Sequence, residues 1–266
     1  VLGKLDTARH SAAELDTLSQ AHLGNMGFSC EVHEPVGDAE CIRPVLVAGS
    51  SALAANVPWM ATLVDEVLTE TDFSDTARIR DILAQWRIAL EQSFASNGHS
   101  CAMARAASYY LPAGVVREAL SGVDFYRFLK DVLEHYDERA EALAAKLAAL
   151  AKRLFVDGNC TVSFAGTDEE LAAFWEAGAS LGGDTAPAAL VVPAPVNRRE
   201  AFVVPTDVTY TACGWDRCRV GAPYTGAWLL AARILTFDYL WGEVRVKGGA
   251  YGVGFRCNRA GSCRFY

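Results

Sequence analysis

Residues 241–252 read Trp241-Gly242-Glu243-Val244-Arg245-Val246-Lys247-Gly248-Gly249-Ala250-Tyr251-Gly252. Gly248 and Gly249 permit a bulge or the close approach of a second backbone. Arg245 carries a fixed fork of N–H donors, and the Tyr251 hydroxyl can donate to a carbonyl or an oxyanion. The segment leads into strand-like sequence, so it lacks the helix N-terminus on which a phosphate is held. Taken alone, it is equally an ordinary hairpin with a surface Arg and an amphipathic Tyr.

Downstream, residues 248–255 and 262–266 read as the two arms of a β-hairpin around Asn258-Arg259-Ala260-Gly261. Upstream, Pro223 opens an apolar helix running through Trp228, Leu229, Ile234, Leu235 and Leu240. Strands are expected at residues 161–164, 201–204 and 208–212. A helix is expected over 168–181, capped by Thr167 or Asp168. Residues 186–197 carry Pro187, Pro193 and Pro195 and read as an irregular connection.

The first part of the chain is mostly helical. A polar helix is expected over 5–23, then strands over 28–33 and 45–49, and a helix over 53–70. Ser74 or Asp75 caps the next helix, which lines up Ile79, Ile82, Leu83, Trp86, Leu90 and Phe94 on one face. Another helix runs from His99 to Tyr110 and is stopped by Pro112 and Gly114. Phe125, Phe128, Leu129, Val132 and Leu133 continue the helical spacing, and Asp137 is placed to cap a long alanine-rich helix closed by Asp157-Gly158. Strands and helices mix without a βαβ rhythm, which favours an α+β fold with helices on one side of a largely antiparallel sheet. A domain boundary is placed near Thr167.

The chain has 266 residues and a net charge of −8, with 52% hydrophobic and 21% charged residues. That composition excludes a largely disordered chain, and its acidic balance argues against a nucleic-acid partner. No apolar run reaches the roughly 18 residues needed to span a bilayer; residues 227–240 are interrupted by Arg233 and Asp238. The N-terminus has neither an initiator Met nor a signal-peptide pattern, so the sequence reads as a fragment. Without a secretory signal, a cytoplasmic, reducing compartment is expected for its eight cysteines. Most of these sit among apolar residues and read as core thiols, or as one disulfide between neighbouring strands. The pairs Cys213/Cys218 and Cys257/Cys263 also invite a cysteine–zinc module, but they lack the tight spacing of zinc ribbons.

None of the five histidines belongs to H-E-x-x-H or the inverted H-x-x-E-H. In His33-Glu34 and Glu134-His135 the two residues are adjacent, a spacing that cannot place two ligands on one helix face. No G-x-S-x-G elbow, P-loop or dinucleotide fingerprint occurs in a strand-to-helix context.

The stretch Val244 to Gly252, preceded by Tyr239-Leu240-Trp241, resembles the C-terminal signature of insulinase/pitrilysin-type zinc metallopeptidases, in the presequence protease and falcilysin branch. Further similarity lies in Thr69-Glu70-Thr71-Asp72-Phe73, Gly98-His99-Ser100, Ala102, Arg105-Ala106, Ser108, Pro112-Ala113-Gly114, Gly122 and Pro205-Thr206. The resemblance implies two α/β-roll domains of the metallohydrolase-like type, each a mainly antiparallel mixed sheet with helices on one face. Residues 1–166 would form the third family domain with a helical insert, and 167–266 the start of a truncated fourth.

In such peptidases two halves close around a chamber and cut unstructured peptides. The N-terminal half of the same polypeptide carries zinc through H-x-x-E-H together with the Glu general base, so no metal is expected here. The resemblance maps the catalytic and substrate-binding pair onto Tyr251 and Arg245, with Gly248 and Gly249 beside the substrate. Tyr251 would bond the scissile carbonyl as it becomes an oxyanion, and Arg245 would hold substrate backbone or orient Tyr251. No nucleic acid or membrane partner is implied, and the chain alone is expected to be inactive. The other reading is a catalytically silent subunit of the same fold that assists a partner.

Overall fold

The computed structural model describes residues 1–35, 41–178, 180–184 and 191–266. It is an α+β protein. In chain order come α1 (Ala12–His22), β1 (Asn25–His33), β2 (Arg43–Ser51), α2 (Val57–Glu70), α3 (Thr76–Ser96), α4 (Gly98–Ala107), α5 (Pro112–Ser121), α6 (Val123–Glu134), α7 (Tyr136–Leu154) and α8 (Asp168–Glu176). Then follow β3 (Cys213–Asp216), α9 (Ala227–Ile234), a π-helical segment (Leu235–Lys247), β4 (Phe255–Cys257) and β5 (Ser262–Phe265). The chain forms two compact units. One comprises Val1–Ser29, Leu46–Gln85 and Asp131–Ala189, the other Cys30–Val45, Trp86–Lys130 and Leu190–Tyr266.

In the first unit, Ser11 and Glu14 close a reciprocal capping box that starts α1. The helix therefore begins at Ala12 rather than at the expected Leu5. The residues before it pair with the end of α2 instead: Ala8 N–H donates to Glu70 O and Asp72 N–H to Asp6 O. Leu15, Leu23, Leu63 and Val67 form the core here, with Met26, Phe28 and Trp59 packed on it. Glu66 is buried in the same region because Thr7 Oγ1 donates to it at 2.5 Å and His10 Nδ1 lies 2.9 Å away. The Asp75 side chain accepts from Arg78 N–H and caps α3 as expected. Asp137 does not cap α7. The N-cap is His135, without a side-chain bond, and Asp137 accepts from Arg80 at 3.1 Å instead. Thr167 and Glu170 close a second capping box on α8, which stops at Glu176, short of the expected residue 181.

In the second unit, α5 is a correction to the sequence reading, which took Pro112 and Gly114 as stops. Pro112 occupies the first turn, where its missing N–H costs nothing. Gly114 lies so close to α4 that a Cβ would stand 2.6 Å from the Ala107 carbonyl carbon and oxygen. β3, β5 and β4 form a three-stranded antiparallel sheet in that order, with Trp215 opposite Cys263 and Phe255 opposite Phe265. The expected hairpin is present, with its turn at 258–261, but its first arm begins only at Phe255. Residues 161–164, 201–204 and 208–212 are irregular instead of extended strands. Their alternating patterns find no partner strand, whereas Cys213–Asp216 finds one in β5. The expected irregular connection holds over 191–197, while 186–190 lie outside the described residues. The helix opened by Pro223 starts at Ala227 and widens into π-helical turns from Leu235.

The cysteines are less buried than their sequence contexts imply. Cys30, Cys41, Cys160 and Cys213 are exposed, and only Cys263 is buried. Cys30 and Cys213 stand on solvent-facing positions of β1 and β3, where an apolar flank does not place a residue inward. No helix among the described residues is long and apolar enough to cross a membrane.

Candidate functional site

The residues singled out by sequence cluster at the end of the π-helical segment. Its closing turn is built on glycine. Gly249 N–H donates to Arg245 O and Ala250 N–H to Val244 O, returning the chain on itself. Gly249 takes a φ of +74°, the left-handed region that glycine tolerates best. A Cβ on Gly248 would stand 2.5 Å from Val244 O. The two glycines thus end a helix, where the sequence reading gave them a strand bulge. Helix ends of this kind commonly require a residue in the left-handed conformation.

That turn brings Arg245 and Tyr251 together. Arg245 Nε donates to the Tyr251 carbonyl oxygen at 3.0 Å. Its guanidinium lies over the Trp241 ring, 3.9 Å from the centroid, so a cation–π contact fixes the other side. Lys247 is held on Glu243 at 2.6 Å and does not compete for the Arg245 contact. The Tyr251 side chain is 93% exposed, leaving its hydroxyl open to an incoming group. Behind the turn, Leu240, Val253, Phe255 and Cys263 form a small core, and Thr236 Oγ1 accepts from Phe255 N–H. Phe255 packs against Phe265 and Trp215, so the segment rests on the aromatic face of the β3-β5-β4 sheet. π-helical turns are rare and frequently mark functional sites.

A second constellation was missed by the sequence reading. Arg105, buried in α4, pairs with Glu118 of α5 at 3.1 Å, Asp124 of α6 at 2.9 Å and Glu200 at 2.7 Å. Tyr109 donates to the same Glu200 oxygen. The hydrogen bond from Arg105 holds the Glu200 carboxyl down at about 2, while burial pushes the Glu118 carboxyl up. This network ties the irregular stretch around Glu200 to three helices. The signal in the sequence was Arg105 itself, within the stretch 98–108.

Neither constellation suits a metal. Among the described residues no group of three or more His, Cys, Asp or Glu side chains converges. The best pair, His10 with Glu66, has Arg9 beside it at 3.5 Å, a cation where a third ligand would be needed. A zinc ion therefore has no fitting donor set among these residues.

Residues 1–132 match the family model for a domain associated with peptidases of the insulinase type, subfamily C. The chain is 30% identical over 257 residues to protein HypA of Clostridium perfringens, covering 95% of this chain and 26% of that protein. The chain belongs to the insulinase-type peptidases of that subfamily. It corresponds to a C-terminal part of such a protein. The mitochondrial presequence protease of Yarrowia lipolytica is 30% identical over 265 residues, 96% of this chain and 26% of the relative. Presequence protease 1 of Arabidopsis thaliana, named as chloroplastic and mitochondrial, is 27% identical over 226 residues, 81% and 20% respectively. This insulinase-type chain thus spans about a quarter of the length of the relatives it matches.

Proposed function

We propose that this chain is the substrate-binding C-terminal half of a zinc-dependent endopeptidase that degrades unstructured peptides in a closed chamber. The Tyr251 hydroxyl donates to the scissile carbonyl oxygen as negative charge develops there. One such donor is worth about 3 kcal/mol of transition-state stabilisation. Arg245 holds substrate backbone and, through its bond to the Tyr251 carbonyl, orients the tyrosine. Gly248 and Gly249 leave room for the peptide main chain. Metal, general base and nucleophilic water belong to the N-terminal half of the same polypeptide, so this chain alone does not hydrolyse peptides.

The observation that carries this reading is the Arg245 Nε–Tyr251 O contact beside an exposed tyrosine, in a chain of the insulinase-type family. Large exposed apolar residues on the neighbouring helix, among them Leu230, Phe237 and Val246, support a face that meets the rest of the polypeptide. Residues 1–166 and 167–266 are taken as two roll domains of the family. A cytoplasmic location goes with a bacterial host, since the eukaryotic relatives carry organelle names.

The test uses the full-length parent. An unstructured fluorogenic peptide is expected to be cleaved, a folded domain left intact, and Arg245→Ala to raise KM about tenfold or more. If the parent cleaves no peptide despite bound zinc, the silent-subunit reading takes its place.

A further inference from the structure

β4 and β5 place two cysteines directly opposite one another: Cys257 is the register partner of Cys263. Around them, Gly254 and Tyr266 exchange both backbone hydrogen bonds, and Asn258 N–H donates to Ser262 O. In an antiparallel ladder bonded and non-bonded pairs alternate, so Cys257 and Cys263 occupy a non-hydrogen-bonded pair. Such pairs bring Cα atoms to about 4.5 Å, inside the range of about 4.4–6.8 Å that a disulfide accepts. The two Sγ atoms stand 3.0 Å apart, with the Cys263 thiol donating.

We infer that Cys257 and Cys263 form a modification site: a cross-strand dithiol that closes reversibly to a disulfide by exchange with a low-molecular-weight disulfide. This inference stands independently of the proposed peptidase role. Cys257, half-buried, is the attacking group. Its thiolate attacks one sulfur of the external disulfide, forming a mixed disulfide and expelling one thiolate. Cys263 then loses its proton and attacks Cys257 Sγ, expelling the second. Two protein thiols are oxidised, one external disulfide is reduced to two thiols, and the released protons end on them. Cys263 has 0% exposure and cannot meet the external reagent first. Burial pushes its thiol up to about 12, which keeps it protonated until the mixed disulfide lies against it. Because β5 is the central strand of its sheet, the bond would clamp the hairpin on which the Arg245–Tyr251 turn rests.

Peptide mapping of the full-length parent tests this. The protein is equilibrated with oxidised dithiothreitol, quenched with an alkylating agent and cut with trypsin, which cleaves after Arg256, Arg259 and Arg264. Expected is a linked pair of the peptides holding Cys257 and Cys263, lighter by two hydrogens than their reduced sum. It should disappear on reduction and be absent from Cys257→Ser, a substitution at the less buried position. Cys263→Ala, nearly the same size, should abolish it equally while Cys257 becomes alkylated. Separate alkylation of both cysteines at every oxidant level would overturn the inference. So would a link from either one to Cys218 or another cysteine.

Discussion

Gly249, at a φ of +74°, turns the chain between Arg245 and Tyr251. A side chain there would sit in a conformation that costs an L residue about 1–2 kcal/mol. Gly249→Ala is accordingly expected to destabilise by that amount in denaturant unfolding and to lower peptide turnover by misplacing Tyr251. Gly252 provides the internal control. It has nothing within 4 Å of a notional Cβ and no positive φ, so Gly252→Ala should fall within about 0.5 kcal/mol of wild type. Equal losses from both would mean that the turn is not held as described. At this scale the Arg245–Tyr251 pairing could be read in the residue string, because its members lie six residues apart. The Arg105 network could not. Its carboxylates lie 13, 19 and 95 residues away, and no local pattern links positions so distant.

At the scale of elements, helices with a dense apolar stripe and a clear cap were the readable ones. α3 carries Ile79, Ile82 and Leu83 inward and starts where Asp75 caps it. α8 begins at its capping box, so Thr167→Ala should cost about 1 kcal/mol, read as a lowered unfolding midpoint with unchanged slope. No change would place the start of α8 under tertiary rather than local control. What sequence obscured has two physical causes. Pro112 and Gly114 are breakers inside a helix, yet one serves at a first turn and the other admits a neighbouring backbone. Strand patterns, for their part, specify a half-buried pleat but not a partner. Residues 208–212 therefore stay irregular while the adjoining Cys213–Asp216 pairs with β5.

For the whole molecule, acid sensitivity follows from the Arg105 network. The Glu200 carboxyl lies at about 2 in the folded protein, below its ordinary value of 4.5. Its stabilising contribution is therefore complete above about 4.5 and is lost as pH falls through about 2. Glu118, raised by burial, acts in the opposite sense, since its protonation on acidification relieves a buried charge. Glu200→Gln should thus flatten the acid limb of the stability–pH profile between those values; an unchanged limb would assign acid unfolding to other carboxylates. Catalysis, by contrast, is a property of the complete polypeptide, of which this chain is about a quarter by comparison with its relatives. The decisive measurement is cleavage of an unstructured fluorogenic peptide by the full-length parent, comparing wild type with Tyr251→Phe at matched zinc content. The Tyr251 role requires kcat to fall about a hundredfold with fold and metal unchanged. Equal kcat in the two proteins would contradict it, removing Tyr251 from the chemistry.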